Sequence, residues 1–280
     1  MSATPDGCIA PRRRVAVGVE YQGSGYSGWQ QQLSARSIQT TLERALSLIA
    51  DEPVQLVCAG RTDSGVHARE QVAHFDTSAR RSRVAWLLGG NTELPPDVSL
   101  RWVHPVPDHF HARYSALSRT YRYLILNQSA RSALLAGRAL LVHQPLDVEA
   151  MQAGAQWLIG EHDFSAFRSS ECQSHSPVRL LRSLRVRRSG PWVAIDVTAN
   201  AFLHHMVRNI AGLLVLIGQG RSRPDRAREQ LESRQRSTGA ATAAAHGLYL
   251  WQVQYPPQFG LPADSAMIEA PIPGWPSPVP

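Results

Sequence analysis

A single carboxylate, Asp63, stands between two glycines in the run Gly60 to Ala68, GRTDSGVHA, with Arg61 two residues before it and His67 four after. An ionised carboxylate can act as nucleophile or base, and a neighbouring guanidinium favours its charged form in a partly desolvated site. Asp, Ser and Gly are also ordinary turn residues, because short polar side chains bond their own backbone and glycine accepts positive φ. The run follows an apolar stretch, Val54 to Ala59, that reads as a short buried strand. A strand stopping at Gly-Arg-Thr-Asp-Ser-Gly has to turn sharply and carries polar side chains at its tip. Ser64 echoes a serine-nucleophile turn, but the flanking glycines of a G-x-S-x-G elbow are missing and no His/Asp order suggests a triad.

Three further segments hold groups with chemical uses. In Ser118 to Ile125, period two puts Arg119, Tyr121, Tyr123 and Ile125 on one strand face and Arg122 on the other. Tyr beside Arg on a sheet is either a platform for a nucleotide base or a cross-strand pair that packs. In Phe202 to Asn209, His204 and His205 are adjacent. Read on a helix, adjacent side chains do not face one another, and no Asp or Glu lies at ligand spacing, so no metal site is expected. Arg208 lies across that helix from Met206, off the apolar stripe, and reads as solvated. In His246 to Leu250, Leu248 and Leu250 share one face of a closing strand as core.

The elements that must position these groups follow from period. Val15, Val17, Val19 and Tyr21 alternate as a half-buried strand, and the glycine-rich stretch Gly23 to Trp29 reads as a mobile connection. Ser37 caps a helix with Ile38, Leu42, Ala45, Leu46 and Ile49 on one side. A strand at Gln71–Asp76, a helix at Arg83–Leu88 and a strand at Ser99–His104 complete a first half. The second half has a strand at Arg119–Asn127, a helix at Val148–Leu158, strands around 184–186 and 193–197, and an apolar helix at His205–Gln219. A short basic helix at Pro224–Leu231 and a strand at Gly247–Tyr255 close it. The pattern is α+β. Residues 14–108 and 109–255 are expected as two similar α/β halves, with 1–13 a flexible N-terminus and 256–280 a disordered or loosely wrapped tail.

That tail holds eight prolines, two acids and no arginine, so the net charge of +7 is concentrated on the rest of the chain. All 29 basic side chains are arginine, which excludes Schiff-base, P-loop and Ser-Lys chemistry. The basic field favours a polyanionic partner, and arginine forks onto phosphate and stacks on bases. Cys8, Cys58 and Cys172 are widely spaced without a CxxC pair, against a disulfide scaffold or structural zinc. No apolar run approaches the ~18 residues that span a bilayer, and the N-terminus lacks the apolar stretch of a secretory signal. The chain is therefore expected to be cytoplasmic, with no membrane partner.

GRTDSGVHA, YSALSRTYRYLILN, GEHDFSAFR (Gly160 to Arg168), FLHHMVRN and GLYL occur in this order, and together they closely resemble the tRNA pseudouridine synthase A family. The resemblance runs from about Arg14 to Tyr255. It implies a pseudouridine synthase fold: a mixed, mainly antiparallel sheet built from two similar α/β halves, helices packed on it, and an active cleft between. It also implies a homodimer gripping the anticodon arm and body of tRNA, no metal or organic cofactor, and isomerisation of uridine to pseudouridine at positions 38, 39 and 40. Carried over by motif, Asp63 would be the catalytic aspartate, Tyr121 the tyrosine contacting the target base and Arg208 the partner of the aspartate. Arg61 would assist nucleotide flipping and Leu248 would wall the uracil pocket. A non-catalytic RNA-binding protein with the same basic cleft is the rival reading, and in it Asp63 would be dispensable.

Overall fold

The computed structural model of the chain describes residues 12–235 and 241–262. Residues 1–11 and 263–280, most of the two ends expected to be loose, lie outside it. Among the described residues ten strands form one sheet, in the order β4-β1-β3-β10-β5-β9-β8-β7, with β2 added to β3 and β6 to β5. In chain order these are β1 Arg13–Tyr21, β2 Val57–Cys58, β3 His67–Thr77, β4 Val98–Val106, β5 Ser118–Asn127, β6 Leu140–Val142, β7 Gly160–Asp163, β8 Val178–Ser189, β9 Trp192–Ala199 and β10 Leu248–Gln254. The helices are α1 Ile38–Ala50, α2 Gly90–Glu93, α3 Val148–Gln156, α4 Met206–Gly218 and α5 Arg226–Ser233. Parallel pairing joins β10 to β3 and β6 to β5, and the other ladders are antiparallel, so the sheet is mixed and mainly antiparallel as the family resemblance implies.

The two halves contribute opposite ends of the sheet, and the last strand is laid between them. β10 runs parallel to β3, with Tyr249 beside His67, and antiparallel to β5, with Leu248 beside Tyr123 and Leu250 beside Tyr121. Gly247 precedes it because a Cβ there would stand 2.7 Å from the Tyr123 ring. Ser37 caps α1 by accepting from Thr40 N, and Ile38, Leu42, Ala45 and Leu46 are buried, the stripe read from period. Asp147 caps α3 in the same way through Ala150 N. Helix α4 is apolar nearly all round, which fits its packing against β5, α3 and the turn Ser165–Phe167.

Some boundaries differ from the sequence reading for physical reasons. Of the strand expected at Val54–Ala59, Val57 and Cys58 form the ladder with β3 and Ala59 N adds a 2.7 Å bond to Val72 O, while Val54 and Leu56 are buried as irregular chain. The helix expected at Arg83–Leu88 is a wide π turn over Ala85–Gly89 running into α2. The basic helix starts at Arg226, with Asp225 at its N-cap position making no side-chain cap bond and Pro224 in the turn before it. β6 and β7 are three and four residues long, too short for a period to register. The tail is not loose from residue 256: Pro257–Phe259 forms a 3-10 turn, and buried Phe259 meets the Phe110 ring at 5.0 Å and the His109 ring at 5.6 Å. Among the described residues no helix is long and apolar enough to cross a membrane.

Candidate active site

The loop from Gly60 to Val66 is held by the glycine-rich stretch before α1. Trp29 N donates to Thr62 O at 3.0 Å, Gly65 N to Tyr26 O at 3.4 Å and the Ser64 hydroxyl to the same Tyr26 carbonyl at 3.2 Å. Gly28 has φ +90°, and a Cβ there would stand 2.7 Å from Thr62 O. Tyr26 and Trp29 are buried, so this stretch is a packed brace instead of the mobile connection expected from its glycines. From the other side Gln71 Nε2 donates to Gly60 O at 2.6 Å, and Thr62 shares a 2.8 Å hydroxyl bond with Tyr21. Ser64 is spent on Tyr26, which leaves the serine-nucleophile reading without a base.

His67 belongs to this scaffold. Its Nδ1 accepts from Gly23 N at 3.0 Å, so Nε2 carries the proton toward the carbonyls of Gly137 at 3.1 Å and His246 at 3.2 Å. Burial pushes its pKa down to about 4, keeping the ring neutral where it stacks on Tyr249.

Asp63 itself remains a quarter exposed, at 25% of its side chain. Three groups from the N-terminal end of α4 surround it. His204 Nε2 lies 3.2 Å from Oδ1, His205 Nε2 lies 3.3 Å from Oδ2, and Arg208 Nη1 lies 3.4 Å from Oδ2. Arg208 is not the solvated arginine of the helix reading: its Nε donates to Ala243 O at 2.8 Å, and Ala243 N returns a bond to Arg208 O at 3.1 Å. The segment around Gly160 to Arg168 fixes the start of this helix. Asn209 Nδ2 donates to Phe167 O at 2.7 Å and Ser169 N to His204 O at 2.9 Å, while Thr242 donates to Asn209 Oδ1 at 2.7 Å.

The histidine pair corrects the spacing argument made from a helix. Helix α4 begins at Met206, and the two histidines sit in the turn before it, with His205 at φ 63°. That turn, not a helix, brings both rings to one carboxylate, and the third member comes from a residue 141 positions earlier in the chain. The donor atoms of Asp63, His204 and His205 lie within 4.8 Å of one another and have the chemistry of a metal site. Arg208 opposes that use, since its fixed positive charge stands on the same carboxylate oxygen as His205.

Tyr121 is buried, edge-on to Phe202 with ring centroids 5.0 Å apart. A Cβ on Gly60 would lie 3.6 Å from its hydroxyl, so the ring tip reaches the start of the Asp63 loop. Burial first, and then the Asp63 charge, push its phenol pKa up. Tyr123 is fully buried and donates its hydroxyl to Ala244 O at 2.8 Å, the packing alternative for the pair. Leu248 is buried on β10 beside Tyr123, two residues along the ladder from the pairing of Leu250 with Tyr121. Arg61 is exposed and does not take part in the cluster on Asp63.

Arg119, read as part of a base platform, is instead a buried clamp. It donates to Asn200 O at 2.9 Å, Ala59 O at 2.9 Å and Arg113 O at 2.5 Å, tying the chain before the Asp63 loop to the chain before the histidine turn. Sequence offered two signals for these missed roles. No Ser, Thr, Asp or Asn precedes Met206 as a helix cap, which marks an unusual helix start, and an arginine on the apolar face of a central strand needs carbonyl partners.

Comparison with known proteins shows the family. The profile of the tRNA pseudouridine synthase family matches residues 18–115 and 155–256. The chain is 55% identical to the tRNA pseudouridine synthase A of Methylococcus capsulatus over 258 residues, covering 92% of this chain and 95% of that one. It is 53% identical to that of Nitrosococcus oceani (89% and 96% covered) and 51% identical to that of Vibrio cholerae (89% and 94% covered).

Proposed function

The chain belongs to the tRNA pseudouridine synthase family, and from that premise we propose that it isomerises uridine to pseudouridine at positions 38, 39 and 40 of tRNA, with Asp63 as the catalytic carboxylate. The observation that carries the assignment is the environment of Asp63: a part-exposed carboxylate between the halves of the sheet, compensated by Arg208 and bounded on its inner side by buried Tyr121.

The reaction breaks the N1–C1′ bond, turns the uracil and joins C5 to C1′; the C5 proton then leaves and N1 takes up a proton, so the product is an isomer of the substrate. An ionised carboxylate serves it by attack on C1′, by taking a ribose proton or by adding to the ring; all three routes start from one charged oxygen facing the substrate. The target base has to leave its stack first, so the pocket needs an apolar wall and a surface for the ring. Tyr121 and Leu248 supply such surfaces, and exposed Arg61 is suited to the phosphate or the gap left by the flipped nucleotide. Tyr121 holds its proton over the neutral range, so its hydroxyl can donate to the base.

RNA as substrate is also supported by Tyr114. The residue is 76% exposed, yet its ring lies against His111 with centroids 4.3 Å apart and planes tilted by 31°, and the Arg113 guanidinium is 5.6 Å away. A rigid exposed aromatic beside an arginine suits a nucleobase. The anticodon arm and body of tRNA as the gripped region, a homodimer and a cytoplasmic location complete the proposal. Light scattering that gave the mass of one chain at working concentration would remove the dimer from it.

Asp63→Asn is the direct test. It should bind tRNA with unchanged affinity and yield no pseudouridine when unmodified tRNA is mapped after incubation. Normal turnover by this variant would overturn Asp63 as the catalytic carboxylate, whereas tRNA binding without pseudouridine by the wild type would favour the non-catalytic RNA-binding reading of the cleft.

A further inference from the structure

Each oxygen of the Asp63 carboxylate has its own imidazole, His204 on Oδ1 and His205 on Oδ2. The two rings lie with centroids 4.0 Å apart and planes tilted by 35°. Adjacent residues on regular structure cannot do this, because their side chains diverge around a helix or alternate across a strand. The chain achieves it by placing His205 in the left-handed region, φ 63° and ψ 2°.

That backbone is unusual for its place. Among the described residues two other non-glycine residues have positive φ, Asp51 and Arg234, and both end helices, where a left-handed residue is ordinary. His205 begins a helix, where an extended residue with a capping side chain is the rule, and it makes no side-chain cap. The position therefore gives up local stability twice. The turn is braced all the same, by Ser169 N on His204 O and Asn209 N on His205 O, both at 2.9 Å. Strain held in place by its surroundings at a reacting group points to a use.

We propose that His204 and His205 are positioning residues that fix the plane of the Asp63 carboxylate, each donating an Nε2–H to one oxygen while Arg208 supplies the countercharge. The inference rests on Asp63 being the reacting carboxylate. A single guanidinium contact at 3.4 Å on one oxygen leaves the carboxylate free to swing about its Cβ–Cγ bond, and an imidazole nitrogen held 3.2–3.3 Å from each oxygen limits that freedom. The effect belongs to the chemical step, since neither ring has to touch the tRNA for it.

Glycine at position 205 separates this role from a structural one, because it relieves the backbone while removing the ring. In His205→Gly the unfolding temperature should hold or rise, while the single-turnover rate at saturating tRNA falls roughly tenfold or more with the tRNA Kd unchanged. His205→Asn, which accepts the left-handed region and carries an N–H donor, should recover part of that rate. At the other oxygen, His204→Gln should keep more of the rate than His204→Ala, with the strained residue left intact. A wild-type rate in His205→Gly, or equal rates in the two His204 variants, would overturn the inference. Asp63→Ala is assayed alongside: if it turns over, the site itself is misassigned, and if it is inert while His205→Gly is fully active, only the positioning role fails.

Discussion

At the scale of single residues, the site depends on side chains that do two things with one fixed shape. Arg208 bonds Ala243 O through Nε and reaches Asp63 through Nη1, a division of labour that needs a planar fork. A lysine can place a charge near Asp63 but cannot hold both partners. Arg208→Lys should therefore lower kcat by about tenfold or more while leaving the KM for tRNA close to wild type, as expected when a transition-state contact is lost. Tyr114 belongs to binding instead. Tyr114→Ala should weaken tRNA affinity by about 1–3 kcal/mol if one base stacks there, and Tyr114→Trp should preserve it. Equal affinities for the alanine and tryptophan variants in a filter-binding assay would exclude a stacking role. Of these residues the sequence disclosed identity but not company. Nothing in the spacing joins positions 63 and 208; only the resemblance across ordered motifs did so. Arg119 was legible as sharing a strand face with Tyr121 and illegible as a clamp, because its three carbonyl partners come from three separate loops.

At the scale of elements, β3 carries two buried histidines whose burial holds them near pKa 4, His67 and His74, against the ordinary value of 6.5. Lowered pKa values in the folded state mean that the unfolded chain takes up protons first as pH falls. Stability present above about pH 6.5 should thus be lost progressively between about pH 6.5 and pH 4, by an amount on the order of a few kcal/mol for the pair. Urea midpoints measured at pH 7 and pH 5 should show the fall, and identical midpoints would contradict it. The brace before α1 makes a second prediction. Gly28→Ala forces a side chain into φ +90° and onto Thr62 O, so it should cost about 1–3 kcal/mol and misplace the Asp63 loop. Activity lost at a temperature where the variant is still folded would be the signature. Long periodic elements such as α1, β5 and α4 were readable because tertiary packing repeats their period. The glycine-rich brace was not, since glycine signals freedom locally and only the contacts of Tyr26 and Trp29 turn that freedom into a fixed shape.

At the scale of the whole molecule, every positive side chain is arginine and the net charge is +7. Binding of tRNA should weaken steeply with salt, and each arginine that neutralises a phosphate should reduce the slope of log K against log salt by about one when removed. Arg61→Ala and Arg113→Ala are the first to compare with wild type across a salt series. Unchanged slopes in both would place the phosphate contacts elsewhere on the surface.

The central place of the last strand bears on how the protein is made. While the chain is being synthesised, β3 and β5 exist long before β10 does, each with a bare edge facing the gap that residues 248–254 will fill. Until those residues leave the ribosome, the two halves cannot be zipped together and the Asp63 loop cannot meet the start of α4 in a settled cleft. A chain truncated just before Leu248 should thus be insoluble rather than merely inactive, because two open strand edges would seek partners in other copies. Catalytic competence in this protein is a property that arrives with about its final eighth.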